Sequence, residues 1–184
     1  MSRKYYFGNQ DHLHFVTFTV IEWIDVFIRS EYRQVVVNSI KFCQQNKGLE
    51  VYGYVIMPSH IHMIIGRNKE PALEDIVRDM KSFISRAIRK MMYDTSQVQE
   101  SRKEWIMEMM QKAGLQNSNN KDFQFWQQHN KPIEIWSGEV FYQKLEYIHN
   151  NPVEAGFVDE PDSWLYSSAR NYSGKTSCID ILYP

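Results

Sequence analysis

The sequence predicts an α/β sandwich, one sheet covered by helices, and three observations carry that prediction. Runs of β-branched and aromatic residues at 12–20, 50–56 and 60–66 alternate with the two-residue period of strands. The segment 30–47 between the first two repeats its apolar residues at helical spacing, giving the order strand, helix, strand, strand. A chain of 184 residues, 43% hydrophobic and 14% aromatic, fits one domain with a substantial core, with or without an insertion.

In the first strand, His12 to Val20, one face carries His14, Val16, Phe18 and Val20, and the other Phe15, Thr17 and Thr19. Ser30 is placed to cap a helix that runs to about Lys47, where Gly48 stops it. Tyr32, Val36, Ile40 and Cys43 form its buried stripe. The second and third strands, Glu50–Ile56 and His60–Gly66, are punctuated by Pro58 and Ser59. Pro71 fits the first position of the next helix, with Glu74 and Asp75 in its opening turns and Leu73, Val77, Met80, Ile84, Ala87 and Met91 as its stripe.

Residues 94–122 change character. A helix over Gln97–Ala113, then Gly114 and the polar run Gln116–Asn120, read as an insertion or lid. Phe123–Gln127 and Ile133–Trp136 resemble two short strands, broken by His129–Pro132. Ser137 caps a helix carrying Phe141, Leu145, Tyr147 and Ile148. It is expected to end near Asn150 or Asn151, because the residue before a proline is disfavoured in the α region. A fresh turn from Pro152 to Ala155 and a short amphipathic segment, Ser163–Tyr172, complete the pattern.

Composition excludes some classes of function. A net charge of −1 argues against a uniformly basic nucleic-acid coat, though not against a local basic groove. No apolar run approaches the roughly 20 residues needed to span a bilayer, and Met1–Tyr6 lacks the apolar core of a signal peptide. The two cysteines, Cys43 and Cys178, form no C-x-x-C pair, which suits a reduced, cytoplasmic setting.

Candidate chemistry begins at His60 and His62. Alternation puts both imidazoles on one sheet face with Ile64, and Ile61, Met63 and Ile65 on the other. Two imidazoles so placed can close on one metal ion, or can be ordinary strand histidines. The helix after Pro71 carries Arg78, Lys81, Arg86, Arg89 and Lys90, either a solvated face or a phosphate-contacting one to which Ser82 and Ser85 add hydroxyls. Trp126 and Trp136 suit base stacking or core packing alike.

His60-Ile61-His62 between apolar strand residues resembles the H-x-H signature of HUH single-strand nucleases. The segment from Lys144 through Tyr147-Ile148-His149-Asn150-Asn151-Pro152 to Gly156 resembles the tyrosine-bearing segment of single-tyrosine transposases, the REP-associated and insertion-sequence types. Tyr166–Tyr172 is similar to that group's ending, so the resemblance runs from His12 to Tyr172 except for 94–122. It implies a single domain over 1–184 with a ferredoxin-like antiparallel sheet sandwiched with helices, of the HUH endonuclease type. It implies cleavage and rejoining of single-stranded, hairpin-containing DNA through a 5′-phosphotyrosine on Tyr147, without an energy cofactor. His60, His62 and Asn151 would be the metal ligands, with magnesium as the working ion and manganese as the alternative; the ligand set alone also permits zinc. Lys81, Arg86 and Arg89 would meet phosphates, and the protein would act as a homodimer in the cytoplasm, on the nucleoid when engaged. The residues alone leave open Tyr147 as a core or interface tyrosine and Tyr142 as a rival nucleophile that lacks the motif. They also leave open a catalytically silent hairpin DNA- or RNA-binding module, and a small metal hydrolase using water.

Overall fold

Strand alternation sets the layering of the molecule. In the computed structural model, which describes residues 7–94, 99–117, 122–128 and 131–184, β1 (Leu13–Thr19) is followed by α1 (Ser30–Lys47), β2 (Leu49–Ile56) and β3 (His60–Arg67). Then come α2 (Leu73–Tyr93), α3 (Lys103–Leu115), β4 (Ile133–Ile135), α4 (Gly138–Glu154) and α5 (Ala169–Tyr172). The sheet has the order β2-β3-β1-β4 and every pairing is antiparallel, the ferredoxin-like arrangement. Val16, Phe18, Ile61, Met63 and Ile65 point to one side, where they pack against Val36 and Ile40 of α1 and Ile76, Met80 and Ile84 of α2. Phe15, Val55 and Ile64 point to the other, where α4 covers them with Phe141, Leu145 and Ile148.

The β2–β3 hairpin turns through Pro58 and Ser59, closed by the Met57 N–H donating to the His60 carbonyl at 2.8 Å. Its tip is locked from outside: the Val20 N–H donates to the Ser59 carbonyl at 2.9 Å and the Phe27 N–H to the Pro58 carbonyl at 2.8 Å. Register is therefore pinned at the end where the histidines emerge, with Thr17 opposite His62 and Thr19 opposite His60. A slip of one residue would turn both histidines into the α1/α2 core. On β2 the register shifts between Val51 and Gly53, and a Cβ at Gly53 would lie 2.8 Å from Leu145 Cδ1. The missing side chain is what lets α4 seat closely on the sheet.

Several local expectations are corrected. Arg29, not Ser30, holds the N-cap position of α1; Ser30 starts the helix and its hydroxyl donates to Glu31. At the other end Gly48 does stop the helix, in the left-handed region at φ 69°. Pro71 precedes α2, which starts at Leu73. The buried stripe of α2 is Leu73, Ile76, Val77, Met80, Ile84, Ile88 and Met92, while Ala87 and Met91 are half-buried, because over five turns the core-facing line drifts around the helix. Phe123–Gln127 forms only a single bridge, Trp126 to Val20.

Helix α3 begins at Lys103 rather than Gln97 and sinks Ile106, Met107 and Met110 into the α1/α2 core. Gln97, the Ser118–Asn120 part of the polar run, His129, Asn130 and Met1–Tyr6 lie outside the described residues. Between Ser163 and Tyr172 only Ala169–Tyr172 is α-helical.

The largest difference concerns α4, which runs through Asn151 and Pro152 to Glu154. Pro152 is buried in its last turn, where the missing N–H removes only the bond to the Ile148 carbonyl. The carbonyls beyond are satisfied: Ala155 N–H reaches Asn151 at 3.1 Å, Gly156 N–H Val153 at 2.9 Å and Phe157 N–H Pro152 at 2.9 Å. Ser137 caps the start as expected, accepting from the Val140 N–H at 3.3 Å. No helix among the described residues is long and apolar enough to cross a membrane.

Ile148 is fully buried between α4 and the sheet, so Ile148→Ala should cost roughly 2–5 kcal/mol. For a chain of this size that lowers Tm by about 5–15 °C. Calorimetry checks this, with Tyr142→Ala on the exposed side of α4 as the control that leaves Tm nearly unchanged.

Candidate active site

Three elements converge at the hairpin end of the sheet. β3 supplies His60 and His62, its neighbour β1 supplies Phe15 and Thr17 beside them, and α4 crosses above with Tyr147 and Asn151. Tyr147 and Asn151 are four apart, so one helical turn brings both side chains over the same stretch of sheet. His60 Nε2 lies 3.2 Å from Asn151 Oδ1, and Tyr147 Oη lies 3.4 Å from His62 Nε2. The two imidazole centroids are 4.7 Å apart. All four side chains come from one chain, with His62 and Tyr147 separated by 85 positions.

The far ring nitrogens are held by hydroxyls. His62 Nδ1 is 2.8 Å from Thr17 Oγ1, and His60 Nδ1 is 3.2 Å from Ser59 Oγ. With Nδ1–H donating to these oxygens, each Nε2 presents its lone pair to the space beneath α4, the arrangement that orients metal-binding histidines. Phe15 stacks beside His62 at 5.4 Å between centroids and meets Tyr147 edge-on at 6.0 Å. Its other neighbour is Lys144, whose Nζ sits 5.3 Å from the Phe15 ring centre. Tyr147 remains 43% exposed, so a substrate can reach its hydroxyl from solvent.

Burial keeps both imidazoles uncharged. Desolvation, reinforced by the neighbouring His60 and Lys144, pushes His62 down to about 3. Desolvation also lowers His60, opposed by the Asn151 oxygen, which would accept from Nε2–H in the charged ring. At neutral pH both are lone-pair donors, as metal ligands must be. Two ligand atoms bound at about 2.1 Å on an octahedral ion stand about 3.0 Å apart, so the 3.2 Å between His60 Nε2 and Asn151 Oδ1 suits such an ion. Two imidazole nitrogens and an amide oxygen are a donor set that fits magnesium, manganese or zinc. No group of three His, Cys, Asp or Glu side chains among the described residues is arranged to hold a metal.

The other residues read from the sequence lie elsewhere. Lys81, Arg86 and Arg89 are on α2, across the sheet from the histidines. Lys81 Nζ rests 5.2 Å from the Phe18 ring centre and 5.7 Å from that of Trp126, where desolvation lowers it to about 8. The Arg89 guanidinium covers Phe123 at 4.5 Å, and Arg86 is exposed beside the α1–α2 groove. Trp126 is core, its indole donating to the Lys81 carbonyl at 3.0 Å, whereas Trp136 is exposed. His149 reaches Ser168 Oγ at 2.9 Å, and that hydroxyl also bonds Tyr54, tying α4 to β2. Sequence reasoning missed Thr17 and Ser59, which the strand register and the hairpin turn could have indicated, and Trp23, whose ring lies edge-on to His60 at 5.3 Å.

A ferredoxin-like sheet carrying a histidine pair beneath a tyrosine-bearing helix is the arrangement to set against known proteins. The family described as "Transposase IS200 like" matches residues 9–108, more than half of the chain and both histidines, ending before Tyr147. The chain belongs to the IS200-like transposase family, whose members are DNA-cleaving enzymes of transposition. A REP-associated tyrosine transposase bound to a REP hairpin shares the fold, with TM-score 0.65 and 17% identity over 99% of this chain and 92% of that one. A candidate transposase from Deinococcus radiodurans R1 aligns with TM-score 0.45 and 15% identity, over 82% of this chain and 95% of that one. A search of curated proteins returned no significant match.

Two outcomes are expected. Thr17→Val removes the hydroxyl at His62 Nδ1; if His60, His62 and Asn151 hold a divalent ion, its affinity measured by calorimetric titration should fall about 10- to 100-fold with Tm little changed. The second concerns pH. Burial holds His149 at about 4 and His62 at about 3, below the ordinary 6.5, so the fold favours their neutral forms. That contribution is complete above about pH 6.5 and is lost as pH falls from there towards 4, because the unfolded chain takes up the protons first. Thermal melts of the metal-free protein between pH 7.5 and 4.5 should show Tm falling, with a shallower slope in His149→Gln.

Proposed function

We propose that this transposase cleaves and rejoins single-stranded DNA with Tyr147 as the nucleophile, forming a 5′-phosphotyrosine. The single observation that carries this reading is the placement of Tyr147 Oη 3.4 Å from His62 Nε2, at the edge of the donor set formed by His60, His62 and Asn151. In the forward step the Tyr147 oxygen bonds to the phosphorus and the bond from phosphorus to the 3′-oxygen breaks. The phenolic proton passes to solvent, and the 3′-oxygen leaves as a hydroxyl after taking a proton from water. The phosphodiester energy stays in the Tyr147 ester, so attack by a 3′-hydroxyl reverses the step without a nucleotide cofactor.

A divalent ion, taken here as magnesium, would be held by His60, His62 and Asn151 and would polarise the non-bridging phosphate oxygens. With Nδ1–H donating to them, the Thr17 and Ser59 hydroxyls would hold the imidazoles in the ligating tautomer, and Phe15 packs against the rings of His62 and Tyr147. Hairpin DNA as substrate follows the solved relative, which was captured with a REP hairpin. On α2, Arg86 and Arg89 are candidate phosphate contacts outside the site. Each lost contact would reduce the salt slope by roughly 0.7 on a single strand. Lys81 belongs to the same proposal but is held against two rings. A homodimer remains part of the reading.

The test is a covalent adduct. Wild-type protein with magnesium and a pool of hairpin oligonucleotides with randomised single-stranded flanks should give protein–DNA species that survive denaturation. Tyr147→Phe and chelator should abolish them, and Asn151→Ala should reduce them at limiting magnesium. Adducts persisting in Tyr147→Phe would move the nucleophile to another residue. Strand cleavage without any adduct in that variant would make water the nucleophile.

A further inference from the structure

The turn after β1 spends backbone strain on a tryptophan that the core does not use. Ile21 to Ile24 closes with the Ile24 N–H donating to the Ile21 carbonyl at 3.1 Å. Both central residues are left-handed, Glu22 at φ 52° and Trp23 at φ 56°. Turns of this kind are met with Asn or Gly at those positions, because a Cβ crowds the backbone there. A tryptophan is a poor choice, and such outliers persist where the surroundings enforce them, commonly at functional sites.

The surroundings do enforce this one. Ile21 and Ile24 are both buried, anchoring the turn at each end, and the Ile21 N–H donates to the Phe125 carbonyl at 2.9 Å. The indole between them is 59% exposed. Among the described residues its ring contact is with His60, edge-on at 5.3 Å. Burial therefore does not offset the strain; what the turn achieves is an open aromatic face beside a site histidine.

The position of that face is informative. Neighbouring rings form a row, Tyr147 to His62 at 5.1 Å, His62 to His60 at 4.7 Å and His60 to Trp23 at 5.3 Å. The nucleophile stands at one end and the indole at the other. In-line displacement puts the attacking and leaving oxygens on opposite sides of the phosphorus. A phosphate over the histidines, attacked from the Tyr147 end, directs its leaving 3′-oxygen towards Trp23. We propose that Trp23 stacks on the base of the leaving nucleotide, the one immediately 5′ to the cleaved phosphate, and so positions the scissile bond. The inference rests on Tyr147 being the nucleophile.

Adduct sequencing from the randomised hairpin pool locates the cleaved phosphate. Oligonucleotides are then made with 2-aminopurine, or an abasic site, on its 5′ or its 3′ side. Binding to Tyr147→Phe protein should quench 2-aminopurine on the 5′ side, and Trp23→Ala in that background should abolish the quench. In the active protein Trp23→Ala should raise KM for adduct formation roughly 5- to 150-fold, with Trp23→Phe recovering part of it. An abasic 5′ nucleotide should reproduce the loss in wild type and add nothing in Trp23→Ala. Trp23→Gly separates stacking from structure: it should lose the quench while holding or raising Tm, since glycine accepts the left-handed turn freely.

Unchanged quenching and KM in Trp23→Ala, dependence on the 3′ base instead, or a marked fall of Tm in Trp23→Gly would overturn the proposal. Those results, obtained with wild-type adducts intact, would sink the Trp23 inference alone. Absence of any Tyr147-dependent adduct from wild type would sink the nucleophile assignment, and this inference with it.

Discussion

One helix seated on the open face of the sheet is the contact on which everything else depends. A ferredoxin-like sheet places its two main helices on the same side and leaves the other face of β1 and β3 bare. Here α4 covers that face, using Phe141, Leu145 and Ile148 against Phe15, Val55 and Ile64. The seat is close because β2 has glycine at 53, where any Cβ would meet Leu145. Apolar packing ends where the polar residues begin: beyond Phe15 and Ile64 the same face offers Thr17, His60 and His62. The end of α4 that carries Tyr147 and Asn151 overhangs those residues and meets them through polar contacts of 3.2 and 3.4 Å rather than apolar packing. The candidate site is thus the polar end of a hydrophobic contact.

The electrostatics follow from the same partial burial. Desolvation dominates at His60, His62 and His149, and in each case it favours the neutral ring. Lys144, one turn before Tyr147 and over the Phe15 ring, adds positive potential without forming an ion pair with the histidines. A set of uncharged nitrogen and oxygen donors with a cation nearby favours a bound cation less than a carboxylate cage would. It leaves room for the negative charge of a phosphate.

Much of this was legible in the sequence, for identifiable reasons. Alternation assigned the faces of β1 and β3, because a period of two admits no drift, and Gly48 marked the end of α1 through its left-handed conformation. The i to i+4 spacing of Tyr147 and Asn151 only acquires meaning if the helix persists. There the sequence rule pointed the wrong way: Pro152 suggested a stop, but burial and three compensating backbone bonds carry α4 three residues past Asn151. The stripe of α2 was misread at its far end, where Ala87 and Met91 give way to Ile88 and Met92, because helical drift accumulates over its length. Trp23 could not be found by pattern at all. Its role depends on a turn conformation that no apolar period encodes, forced by buried isoleucines on either side.

The 85 positions between His62 and Tyr147 have a further consequence. The strands that hold the histidines are synthesised first, and both imidazoles lie within about the first 62 of the 184 residues. Tyr147 and Asn151 arrive only with α4. At about 5–20 residues per second, several seconds of synthesis separate the two halves. A chain truncated or stalled before α4, or one whose last helix has come away, holds imidazoles without a tyrosine to use them. With Tyr147 as the proposed nucleophile, that division of the site between early and late parts of the chain would tie strand breakage to completed folding.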